Sequence, residues 1–279
     1  MSLETAASTI RVNNIKKILK VNNKKKILQV NNKNRPKPIF IIKYGPPASG
    51  KGSKQTLDVI RSIAPLESFV NINIDDVIES MPYFKNKSRE IVQTYLSKKK
   101  LLGAKNINFK NHNFKRNVLI SISKLYMGLR KTGNPTINNK LDTVLTSSLQ
   151  QRRNIIIETT GGYGFPLWIF NNLGKLLEPY TVYLVFPLVQ FKLLLNRYRK
   201  RPVNSYIRGG PFRMTSNAKN LKNQYITSYK EFIKYTNFLK NKGVQIRTVN
   251  QNSLKKNLKG GTNTNLVNKY LKSKNEYVL

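Results

Sequence analysis

Short apolar runs recur along the chain, each closed by turn residues, and stretches with helical spacing lie between them. Ile39-Phe40-Ile41-Ile42 is apolar throughout and stops at Gly45, as a strand buried on both faces does. Gln55 to Ile63 is amphipathic and predicts a helix to about Ala64, stopped by Pro65. Phe69 to Ile74 alternates like a second strand and runs into Asp75-Asp76. Residues 77–102 predict one or two helices interrupted near Pro82, with Tyr83, Phe84, Ile91, Tyr95 and Leu96 on the buried side. A polar, basic loop (103–116), a helix (117–130), a turn at Gly133-Asn134-Pro135 and a helix (138–151) follow. Ile155-Ile156-Ile157 and Thr181 to Phe186 read as buried strands around a helix at 165–177. Beyond Pro187 the spacing gives a helix through Leu195 and a long one over 215–240, whose Tyr225, Tyr229, Phe232, Tyr235 and Phe238 make a core face. Val244 to Val249 is the last strand, and a short helix at about 263–273 follows. The fold class expected is α/β.

Composition narrows the chemistry. With 279 residues, 39% of them apolar, the chain can build a real core. It has no cysteine and one histidine, His112, which removes disulfides and Cys- or His-rich metal sites. No apolar run matches a bilayer span and no apolar signal core opens the chain, so the expectation is an intracellular, cytoplasmic protein without a membrane partner. The charge is extreme, with 51 Lys+Arg against 12 Asp+Glu and a net +39. Residues 1–37 hold ten basic residues and one acid, so the excess extends well beyond them. Such a surface attracts polyanions in a salt-dependent way, although a Lys/Asn/Ile-rich composition would produce the same number without a partner. A nine-residue repeat beginning Val12-Asn13-Asn14, Val21-Asn22-Asn23 and Val30-Asn31-Asn32 marks 1–37 as a disordered basic arm.

The densest signal is Gly45-Pro46-Pro47-Ala48-Ser49-Gly50-Lys51-Gly52-Ser53. Gly45, four residues, then Gly50-Lys51 is the phosphate-loop pattern, and it sits where that pattern requires, between a strand and a helix. Glycines let successive N–H groups converge on phosphate oxygens, the next helix adds the positive end of its dipole, and Lys51 brings a mobile charge. Gly45, Pro46, Ala48, Ser49, Gly50, Lys51, Gly52 and Ser53 are the candidate nucleotide-binding residues. The usual hydroxyl after the lysine is displaced by one position to Ser53, which leaves magnesium to Ser53 or to waters.

Acids are scarce, so their placement is informative. Asp75 and Asp76 close the second strand, and Glu158-Thr159-Thr160-Gly161-Gly162 closes the third. Carboxylates at the carboxyl ends of strands in such a protein border the nucleotide crevice. An aspartate there could equally cap a helix, and Glu158 could be an inert strand-end charge. Arginines crowd 197–213, with Gly209-Gly210 beside Arg208. Arginines on a mobile lid neutralise a moving phosphoryl group, although a chain this basic produces clusters by chance.

Four motifs stand in order: the phosphate loop; Asn73-Ile74-Asp75-Asp76-Val77-Ile78 with Pro82 beyond; Ile156-Ile157-Glu158-Thr159-Thr160-Gly161; and the arginines after 181–186. Together they resemble the zeta-toxin-like branch of P-loop kinases over about residues 38–250. The resemblance implies a three-layer domain over 38–279, a parallel β-sheet with helices on both faces, with a helical insert at about 103–150 and a lid at about 197–214. It implies transfer of the γ-phosphate of ATP or GTP, with magnesium, to a hydroxyl of a small acceptor; zeta toxins act on nucleotide-sugar precursors of the bacterial cell wall. On it, Lys51 would hold the β/γ-phosphates and Asp76 would be the substrate-activating aspartate. The family usually has one more residue between the two acids, which keeps Asp75 as the alternative. Glu158 would meet magnesium or substrate, Thr160 would lie near substrate, and Arg208 and Arg213 would be lid arginines, with Arg197 a further candidate. Residues 103–140 and the arm have no counterpart. The basic surface and arm leave two other readings open, a polynucleotide 5′-hydroxyl kinase and a nucleic-acid-binding protein that keeps the loop as scaffold.

Overall fold

The computed structural model describes residues 36–99, 118–131, 135–160, 165–207 and 218–251. Residues 1–35 of the basic arm, the whole 103–116 loop and the 263–273 helix lie outside the described residues. Five strands form one sheet: β1 (Ile39–Tyr44), β2 (Phe69–Ile72), β3 (Asn154–Thr159), β4 (Thr181–Leu188) and β5 (Gln245–Asn250), in the order β2-β3-β1-β4-β5. Every neighbouring pair is parallel. Helices are α1 (Lys54–Arg61), α2 (Ile74–Ser80), α3 (Pro82–Lys98), α4 (Ile120–Lys131), α5 (Pro135–Gln150), α6 (Phe165–Leu177), α7 (Phe191–Ile207) and α8 (Ala218–Asn241). None of the described helices is long and apolar enough to cross a membrane.

Strand side chains alternate between two apolar clusters, which is why the central strands β1, β3 and β4 read as near-continuous apolar runs. Ile41, Ile156, Val185 and Val249 meet Ile60 of α1. Phe40, Ile42, Tyr44, Ile155, Val182, Leu184 and Phe186 meet residues of α2 through α8. Helices therefore cover both faces, very unequally. The chain leaves β1 for β2 on one side and later sets β4 on the other. The carboxyl ends of β1, β3 and β4 thus sit together at a switch in strand order, where open α/β sheets bind ligands.

Several boundaries differ from the sequence expectation. The second strand stops at Ile72 rather than Ile74, because Asn73 caps α2 by accepting from the Asp75 N–H at 3.0 Å. Asp75 and Asp76 therefore occupy the first turn of a helix, where its dipole favours negative charge. Tyr83, expected to be buried, is 53% exposed. The buried stripe of α3 is Phe84, Ser88, Val92 and Leu96, and Tyr83 stands one residue, about 100°, away from it. Strand β4 continues through Pro187 to Leu188, because β1 no longer pairs with it beyond Val185 and Pro187 aligns with Val249 of β5 instead. Helix α7 runs on through the arginine cluster to Ile207, so the first part of the expected lid is helical.

Candidate active site

The loop after β1 is shaped by three residues with positive φ: Gly45 at 153°, Ala48 at 61° and Gly50 at 97°. A Cβ on Gly50 would lie 2.5 Å from Gln251 Oε1 and 3.1 Å from an Arg197 nitrogen, so glycine is required there by both backbone and space. The loop is anchored at its start by the Gly45 N–H donating to the Thr159 carbonyl of β3 at 3.2 Å. Within it, Ser49 N–H donates to Pro46 O and Ser53 N–H to Gly50 O. Ser53 caps α1, accepting from the Thr56 N–H at 3.3 Å, and Thr56 Oγ1 donates back to Gly50 O at 2.7 Å. Ser49 is fully buried, and its hydroxyl finds no hydrogen-bond partner among the described residues. An orphaned hydroxyl inside a phosphate loop fits a ligand oxygen.

Lys51 is buried, and its ammonium folds back onto the loop, donating to Gly45 O at 2.6 Å and Pro46 O at 3.0 Å. Burial lowers its pKa to about 8; Glu158 and Asp75 oppose the shift, and Arg201 and Lys43 reinforce it. Glu158 stands opposite Lys43 in the β1–β3 register, and the two pair at 3.0 Å. Burial pushes the Glu158 carboxyl up, but the Lys51 and Lys43 charges and the Lys43 hydrogen bond outweigh it and hold the pKa below the ordinary value. Thr160 offers its backbone oxygen to the Ser228 hydroxyl of α8 at 2.6 Å.

The adjacent aspartates diverge. Asp75 receives hydrogen bonds from the Tyr126 hydroxyl and, at 3.4 Å, from Arg130, both on α4, and its charge acts on Lys51 and Glu158. Asp76 is exposed and takes a 3.4 Å contact from Asn71 Nδ2. It borders a cavity of about 260 Å³ with Asn73, Ser80 and Lys140. Of the two, Asp75 is the one whose charge acts on Lys51.

From the other side comes α7. Arg197 reaches Gln251 Oε1 at 3.4 Å, Gln251 Nε2 donates to Thr56 Oγ1 at 3.2 Å, and the Gln251 N–H donates to Leu188 O at 2.8 Å. Arg201, one turn on, is close enough to lower the Lys51 pKa. Burial lowers the Arg197 pKa. Lys43, Tyr126, Arg130 and Gln251 were not singled out in the sequence, and Arg201 only as part of the arginine cluster. Lys43 could have been, since a lone lysine in an apolar strand two residues before the loop needs a partner. Arg208 and Arg213 lie outside the described residues.

A nucleotide's phosphates fit this loop through the Ser49 hydroxyl and Lys51, and through the amides of Gly50, Lys51 and Gly52, which donate to no backbone oxygen among the described residues. Magnesium fits less richly. Among the described residues no group of three His, Cys, Asp or Glu gathers, and Glu158 already holds Lys43. The Ser53 hydroxyl, which caps α1, could add one oxygen to an ion that takes most of its ligands from phosphates and water.

No protein-family model matches the sequence, and no curated protein matches it significantly. Among solved structures, a chain described under "Molecular and structural characterization of the PezAT chromosomal toxin-antitoxin system of the human pathogen Streptococcus pneumoniae" is similar at 15% identity and a TM-score of 0.43. The match covers 84% of this chain and 77% of that one. Similarity of this degree carries no function from one protein to the other.

Proposed function

We propose that the chain is a P-loop phosphotransferase of the zeta-toxin-like kind, moving the γ-phosphate of ATP to a hydroxyl of a small acceptor. The observation that carries this reading is the glycine-shaped loop that folds a buried lysine onto its own carbonyls at the carboxyl end of a central parallel strand. A phosphate loop with a buried lysine stands at the switch point of a parallel sheet, and an aspartate on the neighbouring helix acts on that lysine.

Lys51 exchanges its two loop carbonyls for β- and γ-phosphate oxygens. Asp75 orients the acceptor hydroxyl and takes its proton as the new P–O bond forms and the bond to the β-phosphate bridge breaks, leaving ADP. Arg197, beside Gly50, and Arg201, which acts on Lys51, would neutralise the charge that spreads from the γ-phosphate. Ser53 would hold magnesium together with the nucleotide's own oxygens, and the ion would neutralise charge on the β- and γ-phosphates. Glu158, fixed by Lys43, keeps a negative charge beside Lys51 that favours its protonated form. Asp76, the first candidate on motif spacing, is replaced in this role by Asp75, which acts on Lys51.

The test is ADP formation by the purified full chain with magnesium, offered nucleotide sugars, nucleosides and 5′-hydroxyl oligonucleotides as separate acceptors. Transfer to one class that drops about a thousandfold in Lys51→Ala supports the reading. The net charge of +39 favours the oligonucleotide arm as the second reading. Salt-sensitive oligonucleotide binding with no ADP formation would leave a nucleic-acid-binding protein on a P-loop fold.

A further inference from the structure

We propose that Tyr126 and Arg130 of α4 are positioning residues that hold the Asp75 carboxylate in its working orientation. The inference rests on the phosphotransfer reading and adds to it a role for a helix that the motifs left without one. Tyr126 and Arg130 are four residues apart and share one face of α4. Both donate to the same atom, Asp75 Oδ1, from 51 and 55 residues away in sequence. One oxygen fixed by a phenol and a guanidinium cannot swing, so the plane of the carboxylate is set by α4 rather than by rotation within α2.

The two donors differ in kind. Tyr126 is 5% exposed, and its ring is met edge-on by Phe84 of α3 at 6.0 Å between centroids, so its hydroxyl is held in place by packing. Arg130 is more open, and a part-exposed pair at 3.4 Å contributes little stability. A buried tyrosine in need of any acceptor would account for the first contact but not the second. Convergence of both on a single oxygen of the aspartate at the start of α2 is what assigns a positioning role. Asp76, next in the chain, takes a contact from Asn71 Nδ2 on β2.

The experiment measures ADP formation with magnesium–ATP and the best acceptor from the screen, or water where none is better. Tyr126→Phe and Arg130→Gln are each expected to lower kcat about ten- to hundredfold, as loss of alignment does, with KM for ATP within twofold. Arg130→Lys, which keeps a donor and the charge, should recover much of the loss. A second readout is independent of turnover. The chain has four aspartates, Asp58, Asp75, Asp76 and Asp142, so labelling aspartate with 13C at the carboxyl carbon gives four resonances, and Asp75→Asn identifies one. Tyr126→Phe and Arg130→Gln should each move the Asp75 resonance and leave the other three in place. Unchanged kcat in both variants, or an Asp75 resonance that stays put, overturns the proposal while wild-type turnover stands. Wild type forming no Lys51-dependent ADP overturns the phosphotransfer reading itself, and the positioning role falls with it even if the resonance moves.

Discussion

The phosphate loop and the acid that faces it are assembled in opposite ways. Residues 45–56 are contiguous, and their contacts are largely with one another: Lys51 on Gly45 and Pro46, Ser53 on Thr56, Thr56 on Gly50. Asp75 depends on Tyr126 and Arg130, and Glu158 on Lys43, residues brought together only by the sheet and by packing on its crowded face. The loop carries its geometry in its own glycines and cap. The acid side has no local code and inherits its geometry from the fold, so distant packing changes reach Asp75 before they reach Lys51.

The largest expected effect tests the self-contained side. Lys51→Met removes the buried ammonium and should abolish ADP formation as Lys51→Ala does, yet leave the chain folded. Burial lowers Lys51 from 10.5 to about 8, so between those values the unfolded chain holds a proton that the folded chain has released. Wild-type stability attributable to Lys51 therefore rises with pH from about 8 to 10.5, by on the order of 3 kcal/mol, and is at its lowest below pH 8. The difference between wild-type and Lys51→Met denaturation curves across that range isolates the effect, and a difference that is flat with pH would contradict it. Next comes the acid side. Asp75→Asn should lower kcat about a hundredfold, while Asp76→Asn stays within about twofold. The reverse result would make Asp76 the activating acid and dissolve the contrast between the two sides. The smallest effect belongs to Gly50→Ala, which forces a side chain to φ 97° beside Gln251. It should cost about 1–2 kcal/mol in urea denaturation and weaken nucleotide binding, whereas Gly52→Ala, with open space around it, should cost little.

The same contrast explains what could be read in advance. The central strands β1, β3 and β4 were legible from apolar runs, because a sheet covered on both faces leaves few polar positions there, and the edge strands β2 and β5 from alternation. The turn itself was legible, since Gly45 and Gly50 supply its positive φ and Ser53 caps the helix that follows. Asp75 was less so: the alternation through Asn73-Ile74 looks like strand, and only the Asn73 side chain bonding the Asp75 amide ends it. The sequence also hides the partners of Asp75, since Tyr126 and Arg130 look like an ordinary face of α4. Tyr83 failed for a related reason, as one residue of phase decides burial on a helix. Gln251 had no signal at all, because a lone glutamine after the last strand says nothing about an arginine on α7 and a threonine on α1.

The bend that carries the chain from β4 into α7 is tied down by α8. Val189 donates its amide to the Tyr229 hydroxyl at 2.8 Å, and its carbonyl accepts from Tyr225 and Tyr229, each at 3.0 Å. A connecting peptide bonded by two buried phenols should exchange its amide hydrogen as slowly as the helix that supplies them. Helix α8, the bend and the base of α7 then open as one cooperative unit, so loosening α8 would release Arg197 and Arg201 together rather than one at a time.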